Sequence, residues 1–167
     1  PGLVEELDAA VVRAERFREV LTSGPFPGMG TGDPDVYKAF CWRFWHLAAP
    51  EGGRIGVVLP RSALSAKGSS EFRLKGLLVA EHVDVTMLLN NRQWLFPEVH
   101  PQYTIALVCI TKGNRAEAKL ELRGPYASLA TYTRQVVKEP LTVPVADLKS
   151  WNDTASLPLL PSDRSAE

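Results

Sequence analysis

Histidine, cysteine and methionine are scarce in this sequence: three, two and two among 167 residues. Cys41 and Cys109 are too few for a disulfide framework or a structural zinc site, and both stand in apolar company, where reduced cysteines pack as small hydrophobes. His46, His82 and His100 have no second ligand at a suitable spacing, so no metal centre is expected. Net charge is also missing, because 19 Lys and Arg balance 19 Asp and Glu. No global field draws the chain to DNA, which argues against a free-standing DNA-binding module. No apolar run approaches the roughly 20 residues that span a bilayer, and no basic stretch leads into an apolar one at the start. No membrane partner is expected, and the expected compartment is the cytoplasm. There is no internal repeat. The chain opens at Pro1 without Met, which points to a segment of a longer protein or a processed product.

What is present suits one α/β domain. Hydrophobic residues make up 45% of the chain, enough for a real core at this length. Residues 3–22 place Leu3, Leu7, Val11, Ala14 and Leu21 at helical spacing, which predicts an amphipathic helix. PFPGMGTGDP, 25–34, is too rich in Gly and Pro for regular structure. Its Gly28, Gly30 and Gly32 spell GxGxG, but the preceding segment is helical rather than a strand. It reads first as a loop, with a supporting role beside a ligand left open. Asp33 as N-cap and Pro34 as first residue then open a helix whose stripe is Tyr37, Phe40, Cys41, Phe44 and Ala48, with Trp42, Trp45 and His46 off it.

IGVVL, 55–59, is a continuous apolar run, the pattern of a strand covered on both faces. RSALSAKGSS, 61–70, reads as a polar loop leading to a helix over 70–81 with Leu74, Leu77 and Leu78 inward. HVDVTMLLN, 82–90, is the next strand, so strand, helix and strand form a right-handed crossover. YTIALVCIT, 103–111, follows a loop too short for a crossover and should run antiparallel. Residues 112–115 turn the chain. LELRGPY, 120–126, suggests one more strand, 126–137 reads equally as helix or loop, and the Pro-spaced segment from 143 reads as an extended tail.

Taken in order, DVYKAF (35–40), GGRIGVVLP (52–60) and LLNNRQWLFPEVHPQYTIALV (88–108) resemble the later half of the catalytic domain of N6-adenine DNA methyltransferases. The nearest relatives would be the modification or fused restriction-modification enzymes of bacterial defence systems. The resemblance implies a partial Rossmann-like methyltransferase sheet, two parallel strands plus an antiparallel last strand with flanking helices. The expected division is an N-terminal helix and Gly/Pro loop (1–32), the catalytic half (33–115) and a partly irregular C-terminal extension (116–167).

In such a sheet ligands gather at the carboxyl ends of the parallel strands, here 60–65 and 90–100. Methylating the adenine amino group requires the base to leave the duplex, and an aromatic ring in an edge loop replaces the lost stacking. By resemblance Phe96 is that ring and Pro97 fixes its loop; read without the family, Phe96 is equally an ordinary core residue at a strand end. By the same resemblance Phe40, with Tyr37 one turn earlier, faces the adenine of S-adenosylmethionine. Arg61, Asn91 and Arg92 are candidate DNA contacts, and Asn90 either joins them or closes its loop. His100, beside Pro101 and Tyr103, suggests loop anchoring.

A complete enzyme of this kind also carries a Gly-rich cofactor loop and an Asn-Pro-Pro-aromatic motif, both upstream of DVYKAF in the family order. Neither is in this sequence. The chain alone is therefore expected to be catalytically silent, with no catalytic residue of its own. S-adenosylmethionine and double-stranded DNA would be bound by the intact parent, whose other half is a partner, and the isolated chain should self-associate. A methyltransferase acting on RNA, protein or a small molecule, and a non-catalytic interaction domain, are the alternative readings.

Overall fold

Runs of Val, Ile and Leu at residues 54–60, 82–89 and 104–111 pair as three strands of one five-stranded sheet in the computed structural model, which describes residues 2–26, 28–29, 32–113 and 119–159. The strands are β1 (Arg54–Pro60), β2 (His82–Leu89), β3 (Thr104–Thr111), β4 (Lys119–Tyr126) and β5 (Leu141–Pro144), in the spatial order β1-β3-β2-β4-β5. β3 lies between β1 and β2 and is antiparallel to both, so Val57 and Val85 both face Val108. β1 and β2 thus run the same way without touching. The antiparallel course of 103–111 is as its short loop requires, but β3 has taken the place beside β1 that a simple crossover would give to β2. β4 then pairs parallel with β2, and β5 antiparallel with β4. The segment from 119 to 144 therefore adds two strands to the same sheet.

Alternation along each strand separates two unlike faces. Leu59, Val83, Val85, Val108, Leu120 and Val143 join one core cluster with Trp42, Leu64, Phe72 and Leu148 from the helical layer. The opposite face carries Arg54 and Val58 of β1, Cys109 of β3, His82 and Asp84 of β2, and Glu121 and Arg123 of β4. Val58 is 54% exposed and Cys109 is exposed, against the expectation for both. IGVVL is not covered on both faces: among the described residues β1 is the sheet's edge, paired only with β3, and helices back one side of it.

The helices are α1 (Gly2–Ser23), α2 (Val36–Leu47), α3 (Ser62–Ser65), α4 (Ser70–Lys75), α5 (Leu129–Gln135) and α6 (Val145–Trp151). α1 forms where its periodicity predicts but buries only Leu21, beside Met29, Ala39 and Phe26. Leu3, Leu7 and Val11 stay 82%, 63% and 48% exposed. α2 begins one turn fraction later than predicted, with Asp35 rather than Asp33 as N-cap. Its buried residues are Ala39, Cys41 and Trp42, because Trp42 meets Phe72 edge-on at 5.6 Å while Phe40 is 52% exposed. A helix this rich in aromatic residues gives several candidate stripes, and tertiary contact chooses between them.

The stretch after β1 is not a loop followed by one long helix. Ser62–Ser65 and Lys67–Ser69 form short helical turns, α4 stops at Gly76, and Leu77–Val79 make a 3₁₀ turn before β2. Arg73 accounts for this compaction. It is fully buried, and its guanidinium donates to Ala63 O, Ala66 O and Thr154 O at 3.1, 2.9 and 3.0 Å. Desolvation lowers its pKa to about 10, opposed by the nearby Tyr37, so it is still charged at neutral pH and its charge is met by carbonyl dipoles. The tail is strapped to the same place: Leu157 N donates to Leu64 O at 2.9 Å, and Ser156 Oγ to Ser65 O at 3.1 Å.

Candidate functional site

The carboxyl ends of β1 and β2 meet at the start of β3. Arg61 N donates to Thr104 O at 3.0 Å and Asn90 N to Tyr103 O at 3.2 Å, so the two loops leave the sheet on either side of one strand. This brings Arg61 beside the loop of residues 90–103, as the candidate edge requires. Arg61 is half-buried, whereas Asn91 and Arg92 are exposed in the 3₁₀ turn that opens the loop.

The loop is tightly fastened. Asn90 is fully buried and binds the backbone of Leu95, Phe96 and Val99 through both ends of its amide. Gln93 Nε2 donates to Pro97 O at 2.6 Å, and Trp94 Nε1 to Leu89 O at 2.6 Å. Arg92 and Gln93 hold positive φ of 61° and 55°, a region that costs a non-glycine residue on the order of 1 kcal/mol or more. At its far end His100 Nδ1 accepts from Gln102 N at 3.3 Å, and its ring meets Tyr103 edge-on at 6.4 Å, the local anchoring its neighbours suggested. Phe96 is 40% exposed at the loop's crest.

Tyr37 and Phe40 lie on α2 and turn different ways. Tyr37 OH shares a 3.0 Å hydrogen bond with Ser69 Oγ, and its ring packs against the main core. The cavity it lines with Met29, Cys41 and Trp42 holds about 10 Å³, room for one water at most. Phe40 instead stacks on Phe44 at 5.8 Å with half its surface free. Gly28 approaches Glu71 so closely that a β-carbon there would lie 2.5 Å from its side chain, which explains one glycine of GxGxG by packing. Gly30 lies outside the described residues.

Three features escaped the sequence reading. Gln93 is an ordinary polar loop residue until its carbonyl partners are seen. Buried Arg73 has no sequence signature. His82, Asp84 and Glu121 gather on the polar sheet face with ligand atoms within 4.8 Å of one another, and the i, i+2 spacing of the first two was the available sign. Arg123 pairs with Asp84 and lies 3.6 Å from Glu121, so this group is an ion-pair network. Among the described residues no helix is long and apolar enough to cross a membrane.

No protein-family model matches the chain, and no curated protein matches it. Among solved structures it is similar to the type I restriction-modification system methyltransferase subunit from Streptococcus thermophilus, with a TM-score of 0.53 at 14% identity. The likeness covers 81% of this chain and 32% of that one. The chain thus shares a methyltransferase-like α/β fold and spans about a third of that protein's length.

Proposed function

We propose that the chain is the later half of the catalytic domain of an S-adenosylmethionine-dependent DNA methyltransferase of restriction-modification type, acting on the N6 amino group of adenine. The observation that carries this reading is the loop at the carboxyl edge of β1 and β2, which presents Phe96 to solvent on a rigid base. Its support is the arrangement of two parallel strands around an antiparallel third, together with the likeness to a methyltransferase subunit.

In this reading Phe96 stacks on the extruded adenine and Pro97 helps fix its loop. Base–aromatic stacking is worth about 1–3 kcal/mol, which offsets part of the cost of unstacking the base. Arg61, Asn91 and Arg92 are the candidate contacts to the DNA backbone. Of the two aromatics on α2, Phe40 fits the cofactor's adenine, because its free surface can receive a ring. Tyr37 is committed to Ser69. S-adenosylmethionine, when bound, supplies the methyl group; the residues here orient the acceptor and exclude water around it. The Gly-rich loop and the Asn-Pro-Pro-aromatic motif belong to the other half, so the chain alone transfers nothing.

The bare edge of β1 and the exposed apolar residues of α1 and α2 suit that missing half. In isolation they suit a second copy, because an unpaired apolar edge recruits another strand. Sedimentation at high concentration should show a dimer or larger species; a monodisperse monomer would count against this contact. The test of the function itself uses the gene product that contains this chain, unmethylated genomic DNA and S-adenosylmethionine labelled in its methyl group. Label should appear in N6-methyladenine after digestion to nucleosides. Label in cytosine only, in RNA only, or nowhere would overturn the reading.

A further inference from the structure

The loop between β2 and β3 is held from beneath by one side chain. Asn90 Oδ1 accepts from Leu95 N at 3.2 Å and Phe96 N at 3.1 Å; Nδ2 donates to Phe96 O at 3.1 Å and Val99 O at 3.0 Å. An asparagine amide offers two acceptor sites and two donors, and all four are used. Two of the bonds end on Phe96 itself, one on its N–H and one on its carbonyl, so the peptide groups on both sides of its Cα are fixed. Gln93 adds a second fastening at Pro97 O and Val99 O, and the chain accepts left-handed φ at Arg92 and Gln93 to reach it.

Packing does not explain this. A residue with no exposed surface holds in place a ring that is itself 40% exposed. Buried polar networks of this kind normally fix core elements, and residues held in sparsely populated φ collect at sites where geometry matters. We infer that Asn90 is a positioning residue, which holds Phe96 in the one orientation that receives an extruded base. This inference rests on the stacking role given to Phe96 above. Asn90 itself touches no substrate and acts through the loop backbone alone.

A double-mutant cycle in the gene product that contains this chain tests it, with unmethylated genomic DNA as substrate. Asn90→Ala should lower kcat about 10-fold or more, the scale of effect when a reacting group is misplaced, and leave KM for S-adenosylmethionine unchanged. In a Phe96→Ala background the same substitution should cost nothing further, because the ring it positions is gone. An undiminished loss in that background would overturn the inference.

Asn90→Asp guards against misfolding. It keeps the size and the Oδ1 acceptor but turns an oxygen toward the carbonyls of Phe96 and Val99. With those two carbonyls released the loop should loosen, so amide exchange should speed across residues 95–99 while β2 and β3 stay protected. Loss of protection across the whole sheet in both variants would show that Asn90 holds the sheet rather than the ring, and would also overturn the inference. Wild-type protein that methylates no adenine sinks the function reading instead, and the exchange pattern then still reports whether Asn90 holds the loop.

Discussion

Two loops in this protein are each built around one asparagine. Asn152 Oδ1 accepts from Thr154 N and Ser156 N at 3.2 and 2.8 Å, and its Nδ2 donates to Ser156 O at 3.2 Å. Asn90 does the same work between β2 and β3. The products differ. Around Asn152 the chain turns its apolar side chains inward: Ala155 and Leu157 are 1% and 2% exposed and belong to the main core. Around Asn90, which is the more deeply buried of the two, Phe96 is left in solvent. The same device closes a core in one place and displays a ring in the other, so a fastened loop is evidence of function only when what it fastens is not itself buried.

Substitutions can sharpen that contrast. Leu157→Ala should have the largest effect, about 2–5 kcal/mol of global stability, because it opens a cavity where the tail meets α3. Denaturant unfolding reads this as a lower midpoint with an unchanged slope. Asn152→Ala should follow at about 1–3 kcal/mol, because the amides of Thr154 and Ser156 lose their acceptor. Its loss should appear in the same cooperative transition. Phe96→Ala should cost about 1–2 kcal/mol, less than Leu157→Ala, since 40% of the residue is already in water. A Phe96 variant as unstable as the Leu157 variant would erase the distinction and make Phe96 a core residue.

The cysteines provide a fourth contrast, read by alkylation rather than by unfolding. Burial pushes the Cys41 thiol up to about 12, while Cys109 is exposed. Alkylation at pH 8 should therefore label Cys109 alone, by mass, and Cys41 only on unfolding. Because the thiol is held neutral in the folded state, the stability it contributes is whole below about pH 9 and is lost as pH rises toward 12. Cys41→Ala should flatten that alkaline decline.

The strands were legible because runs such as IGVVL and YTIALV leave little else to form, and the short loop between 90 and 103 dictated an antiparallel return. What the sequence could not carry were choices made by distant contact. Trp42 displaced Phe40 from the buried stripe of α2 because Phe72, thirty residues on, offers an edge-on partner. Arg73 pulled the segment after β1 into short turns by reaching a carbonyl in the tail. At the candidate site, Phe96 and Arg61 could be assigned to one edge from strand ends alone. The part of Asn90 was open between contacting DNA and closing the loop, and only its four bonds decide it. Tyr37 and Phe40 look alike on a helical stripe, yet one is tied to Ser69 and the other is free.

The place of β3 between β1 and β2 has a consequence for how the chain is made. Among the described residues β2 pairs with nothing before β3 exists, and finds its first neighbour among residues 104–111. As the chain is synthesised from its amino end, β2 leaves the ribosome as an apolar ribbon without a mate. It must wait for residue 111 before its first ladder closes, and longer still for β4 on its other side. For that interval the nascent protein shows an unpaired strand to every similar neighbour on the same message, the condition under which growing chains associate wrongly. How fast translation crosses residues 90–111 should therefore affect its yield.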